Sequence, residues 1–182
     1  MDRVCERRTP FGGHGSGAAA PGGYTTRGSV AVTGAGMLVG QHGGMKITPR
    51  SFAHVRLTVT DIERSRAFYD AVFGLPVAFE VPADADEATR EQLAFLFGGV
   101  IYQLGDSLLG LRPVAKDRFD EDRVGLDHLS LAVAGRDELE SAVAVLDGQG
   151  VAHEGIKDIG AGYILEFRDP DNIALELFAP QP

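Results

Sequence analysis

Hydrophobic and polar positions follow the same order twice along this chain. From Phe52 to Thr60 they alternate, which sets Val55, Leu57 and Val59 on one side of a strand and His54, Arg56 and Thr58 on the other. Ile62, Ser65, Phe68, Tyr69 and Val72 then recur at helical spacing. Thr60 and Glu63 fit a Ser/Thr-x-x-Glu capping box, and Gly74 is placed to end the helix. A strand is expected from Pro76 to Val81. The acidic stretch PADADEATREQ reads as a loop or one exposed helical turn. Two further strands fall in LAFLFGGVIYQL and DSLLGLRPV, with Gly105-Asp106 turning between them.

In the second copy Leu129, Leu131 and Val133 alternate with His128, Ser130 and Ala132. Leu139, Ala142, Val143 and Leu146 form a helical stripe that Gly148 or Gly150 ends. VAHEGI, GYILEFR and IALELFA supply three more strands. In the last of these Leu175 and Leu177 share one face while Ala174, Glu176 and Phe178 share the other. The pattern predicts an α+β protein of two strand-helix-three-strand units, over residues 50–113 and 125–180. The connector 114–124 is dominated by charge and reads as a solvated link.

Residues 1–45 show neither periodicity and hold half of the chain's 24 glycines, a composition that does not offset the entropy of ordering. They are expected to be a disordered tail ahead of a domain spanning 46–182. A translation start placed too far upstream would look the same, because Met45 opens the compact region directly. The single cysteine, Cys5, has no partner for an internal disulfide. No apolar run approaches the roughly 20 residues of a membrane span, and no signal-peptide core is present, so a cytoplasmic protein without membrane association is expected. The net charge of −9 becomes −11 over residues 46–182, where 24 acids face 13 bases. An acidic body without a basic, aromatic-laced stripe argues against nucleic acid and for a small-molecule partner.

Each copy places one histidine near the start of its first strand, His54 and His128, and the last strand of the second copy carries Glu176 between two leucines. Two imidazoles and one carboxylate on a duplicated sheet suggest a metal site. A lone strand histidine is more often a hydrogen-bonded core residue; three in matched places favour ligation, and the alternative is a polar core without metal.

HVRLTVTDIERSRAFYDAVFGL and FRDPDNIALELF resemble the opening and closing signatures of the vicinal oxygen chelate superfamily, which includes glyoxalase I, extradiol dioxygenases, fosfomycin-resistance transferases, methylmalonyl-CoA epimerase and bleomycin-binding proteins. The resemblance covers about Phe52 to Pro180. It implies a glyoxalase/dioxygenase-like fold in which paired βαβββ modules form a cup-shaped mixed sheet with a metal on the concave face, and frequent homodimers that sometimes build the cup from two chains. It also implies metal ligands at His54, His128 and Glu176. The fourth family position, in the last strand of the first unit, holds Gly110, which has no ligand atom. That gap points from four-ligand isomerases to an open two-histidine, one-carboxylate site for Fe(II) or Mn(II), with Zn(II) or Ni(II) also compatible. Two further departures stand out. The extradiol dioxygenase histidine-tyrosine pair before Asp-Pro is missing, with His153 too far upstream and Glu166 in the tyrosine's place. The fosfomycin transferases' threonine and cation loop are replaced by Arg56 and IGAGYI.

By the same resemblance the protein is expected to be a metal enzyme, dioxygenase-like or glyoxalase-like. Its alternative is a metal-free drug-binding protein of the bleomycin-resistance type. Arg56 and Arg112 project toward the cup, where they could clamp an anionic substrate; Arg56 could instead pair with Glu166 or Glu176, and Arg112 could reach solvent. Glu176, Arg56 and His153 are the catalytic candidates, His153 also reading as an ordinary strand residue. Tyr102 and Tyr163 are candidate proton donors or core aromatics. His14 and His42 fall in the tail. Asp169-Pro170-Asp171-Asn172 reads as a structural turn.

Overall fold

The computed structural model describes residues 47–182; the expectations for the tail, Cys5, His14 and His42 lie outside the described residues. Residues 48–182 gather into one compact unit of two βαβββ modules. Module one contains β1 (His54–Thr58), α1 (Ile62–Val72), β2 (Val77–Phe79), α2 (Glu87–Gln92), β3 (Val100–Leu104) and β4 (Ser107–Arg112). Module two contains β5 (Leu129–Ala132), α3 (Arg136–Gly148), β6 (His153–Asp158), β7 (Gly162–Arg168) and β8 (Ala174–Pro180). The sheets run β1-β4-β3-β2 and β5-β8-β7-β6, parallel at β1/β4 and β5/β8 and antiparallel elsewhere.

Each strand sorts its residues as alternation requires. Leu57, Val59, Leu109 and Leu111 from module one join Leu165, Phe167, Leu175 and Leu177 from module two in one buried cluster with Tyr69, Leu139 and Leu146 of the helices. Phe68 of α1 and Phe73 at its C-cap lie 6.5 and 6.2 Å from Phe167. The helix-covered sides of both sheets thus share a core, and the opposite, polar sides stay open.

Two local expectations are corrected. The cap of α1 is Asp61, whose carboxylate accepts from Arg64 N at 3.1 Å; Thr60 is drawn off by a stronger partner, the buried Asp171. LAFLFGGVIYQL is strand only from Val100 onward, because Ala94–Leu96 forms a 3-10 turn after α2 and Phe97 adopts φ 54°. Gly99 then passes so close to Leu111 O that a Cβ would stand 1.9 Å from it. The charged connector is mostly exposed, as expected, and is tied to module two at two points: Phe119 N donates to Asp171 O and Asn172 Nδ2 to Phe119 O, and Arg168 pairs with Glu121 through both Nη atoms.

The turn expected at residues 169–172 proves to be an inter-module clasp. Asp171 accepts from Thr60 N (2.9 Å), Thr60 Oγ1 (2.5 Å), Arg64 Nη2 (2.6 Å) and Ser65 Oγ (3.4 Å) at the start of α1. Burial pushes its carboxyl up, but the Thr60 hydroxyl and amide and the Arg64 cation outweigh that and leave it below the ordinary range. Asp169 accepts from the backbone of Asp171 and Ile173 and from the Tyr69 hydroxyl; burial nevertheless raises it to about 6.

Candidate metal centre

The open side of module two carries Ser130, Glu166 and Glu176. Register pairs Ser130 with Glu176 and Glu166 with Glu176 on neighbouring strands. The two carboxylates are separately partnered: Ser130 Oγ donates to Glu176 Oε1 at 2.6 Å, and Lys157 Nζ donates to Glu166 Oε2 at 2.8 Å. His128 precedes β5 by one residue and shares the side of Ser130, one step along the sheet from Glu176. Its Nδ1 contacts the Asp127 carboxylate, which leaves Nε2 as the nitrogen for a ligand bond. A carboxylate behind a histidine is the partner that fixes the tautomer of a metal-binding imidazole.

His54 opens β1 on the polar side of module one and is exposed. A single chain does not gather it with His128 and Glu176. Among the described residues, no three His, Cys, Asp or Glu side chains lie close enough together to hold a metal ion. His128 and Glu176 lie on module two and His54 on module one, and the described residues bring no third candidate ligand to either place. Two imidazoles and a carboxylate are donor types that suit a divalent transition metal.

Gly110 opposes Arg56 in the ladder as Glu176 opposes Ser130, so by register it is the module-one counterpart of Glu176. A Cβ at Gly110 would stand 3.0 Å from Arg56 Cγ and 3.4 Å from its Nε. The glycine makes room for the arginine side chain, which donates Nη1 to Phe95 O at 3.0 Å and Nη2 to Leu96 O at 3.2 Å. The alternative pairing of Arg56 with Glu166 or Glu176 does not form within the chain. This use of Arg56 escaped the sequence because its acceptors lie in the 3-10 turn, which alternation had assigned to a strand.

His153 lies on the helix-packed side of β6, in register with buried Phe167, and its Nε2 is 3.2 Å from Asp147 of α3. That position sets it on the other side of the sheet from Glu176. Tyr102 is buried, and its hydroxyl donates to Asp70 at 2.8 Å; burial above all raises its pKa well beyond the ordinary value. Tyr163 is also on the helix side, with the Arg136 guanidinium 4.9 Å over its ring. Neither tyrosine faces the ligands. Beside His128 a mainly apolar groove of about 700 Å³ is lined by Phe52, Val55, Leu109, Leu126, Leu129 and Leu131, residues from both sides of the strands.

Two modules, matched histidines and a last-strand acid define a glyoxalase-like fold, and the chain belongs to the Glyoxalase/Bleomycin resistance protein/Dioxygenase superfamily, whose profile matches residues 51–177. It is 30% identical over 128 residues to the uncharacterized protein YaeR of Escherichia coli K12, covering 69% of this chain and 92% of that protein. Among solved structures it is similar to a glyoxylase/bleomycin resistance protein/dioxygenase domain from Frankia sp. EAN1pec. That match has 28% identity and a TM-score of 0.58, and spans 74% of this chain and all of that one. The fold also matches the fosfomycin resistance protein FosX of Listeria monocytogenes, complexed with Mn(II) and sulfate. Identity there is 15% and the TM-score 0.55, over 74% of this chain and 93% of that one. No helix among the described residues is long and apolar enough to cross a membrane.

Proposed function

We propose that the protein is a cytoplasmic, divalent-metal-dependent enzyme acting on a small oxygen-chelating substrate, dioxygenase-like or glyoxalase-like, and that it works as a homodimer. In the dimer His54 of one chain meets His128 and Glu176 of the other. What supports this reading is the pairing in module two: Ser130, two residues after His128, stands opposite Glu176 and donates to it, while the His128 ring contacts Asp127 and His54 opens the matching strand of module one. The shared core turns both polar faces away from the helices, so a second copy is the economical way to oppose them. The complex of FosX with Mn(II) supports Mn(II) among the candidate metals; Fe(II), Zn(II) and Ni(II) suit the same donors.

When bound, the metal would supply Lewis acidity toward two adjacent substrate oxygens and stabilise negative charge that develops on them. The chain's residues do the rest. Asp127 holds the His128 ring, and Ser130 holds one oxygen of Glu176 so that the other is directed at the site. The apolar groove beside His128 excludes water from the substrate's hydrocarbon portion.

The test is metal content after purification without chelator and an offer of Fe(II), Mn(II), Zn(II) and Ni(II). The wild type should retain near one ion per chain, and His54→Ala, His128→Ala and Glu176→Ala should each lose it. The groove favours one second reading, a drug-binding protein of the bleomycin-resistance type. A wild type that takes up no metal but binds bleomycin would replace the enzyme reading with that one.

A further inference from the structure

Arg56 and Arg112 stand diagonal to each other on the open face of module one, since Arg56 pairs with Gly110 and Thr58 with Arg112 across β1 and β4. Both guanidinium carbons lie over the ring of Phe97, at 5.9 and 4.0 Å. Neither arginine takes part in an ion pair among the described residues. The Nε atoms of both are buried without an acceptor. Arg56 uses two of its five N–H groups on the Phe95 and Leu96 carbonyls; among the described residues the Arg112 guanidinium has no hydrogen-bond acceptor.

Two half-buried cations side by side without a counter-ion among the described residues are unexpected in a region of net charge −11. Phe97 is also held in the left-handed region at φ 54°, a conformation costly for an aromatic side chain, and there it reaches across the two guanidinium planes. Arg56 itself fastens the turn that presents Phe97, and Gly110 clears the path for Arg56. Four features of the chain thus converge on one arrangement of donors beside Phe97.

We infer that Arg56, Arg112 and Phe97 form an oxyanion subsite on the open face, taking the carboxylate or phosphoryl group of a small acidic substrate. The inference deepens the reading of that face as a substrate site. It is tested on metal-free protein so that the two can fail separately. Guanidinium groups give paired, charge-assisted hydrogen bonds to either oxyanion, and the Phe97 ring lies within cation–π reach of both.

Chelator-treated protein in low salt is titrated calorimetrically with acetate in one arm and methylphosphonate in the other. At least one probe should bind in the millimolar range and weaken with added salt; the tighter arm identifies the group. Arg112→Gln should weaken that probe on the order of tenfold or more, the loss expected for a charge-assisted pair. Arg112→Lys should fall between, and Arg118→Gln, an exposed arginine in the connector, should bind as wild type does. Absence of binding by both probes, or binding that Arg112→Gln leaves intact, overturns the inference. Sedimentation of the same variants supplies the other refutation: if Arg112→Gln dissociates a wild-type dimer, the arginines pair with a carboxylate of a second copy rather than with a ligand.

Discussion

Asp171→Ala removes the acceptor that joins the β7–β8 turn to the start of α1. The side chain is 3% exposed, and it satisfies Thr60 N and Oγ1, Arg64 and, at longer range, Ser65. Arg64 is half exposed and repairs its loss with water, so its ion pair contributes little. The cost falls on the Thr60 amide and hydroxyl and on buried Ser65. Donors left without acceptors cost roughly 1–3 kcal/mol each when they stay dry, and partial rewetting after truncation lowers the sum, so a loss of about 3 kcal/mol is expected. For a domain of this size that lowers the melting midpoint by roughly 10 °C. Urea unfolding followed by circular dichroism at pH 7 measures it, with an unchanged m value expected because the exposed surface is the same. Asp171→Asn should lose less, since it keeps one acceptor oxygen. A loss under about 1 kcal/mol for the alanine variant would refute the view that this carboxylate clasps the modules together.

Other perturbations have definite signs. Asp169 titrates at about 6 in the fold against about 3.9 unfolded, so its contribution is fully present below the unfolded value and is lost as pH rises through 6. Asp169→Asn should therefore remove a gain of about 1.3 kcal/mol that the wild type makes between pH 7 and pH 5, read from urea midpoints at the two pH values. The low Asp171 carboxyl acts oppositely, its contribution being present above the unfolded value and lost as pH falls through the folded one. Gly110→Ala should destabilise by about 1 kcal/mol through its contact with Arg56, and the effect should vanish or reverse in an Arg56→Ala background. Arg56→Ala should also release the 3-10 turn, visible as faster amide exchange at Phe97 and Gly99, whose backbone bonds to Ala94 and Leu96 close that turn.

Where alternation or helical spacing ran unbroken, sequence and structure agree. The β1, β4, β7 and β8 faces sort as their patterns require, and Gly105-Asp106 turns between β3 and β4. Disagreement arose where a distant partner outbid a local one. Thr60 fits a capping box, but Asp171, 111 residues away, takes both its amide and its hydroxyl. Phe95 to Gly99 reads as strand, yet the approach of Gly99 to Leu111 and the hold of Arg56 on two carbonyls bend it into a turn. Gly110 was legible as a missing ligand; that the space is filled by the neighbouring arginine was not, because β-pairing across 54 positions is invisible to local pattern. His153 shows the same limit, since the shift in pairing between His153 and Ile156 sets its side against α3.

Metal uptake by mixed dimers tests the central claim most directly. His54→Ala and Glu176→Ala proteins are combined by unfolding and refolding together, then offered Mn(II) and analysed for bound metal. If each site takes His54 from one chain and His128 with Glu176 from the other, half the dimers are mixed and each of these restores one of two sites. The account therefore predicts about a quarter of the wild-type metal, against none in either variant alone. A mixture that binds no more metal than the separate variants, beside a wild type that binds fully, would contradict it.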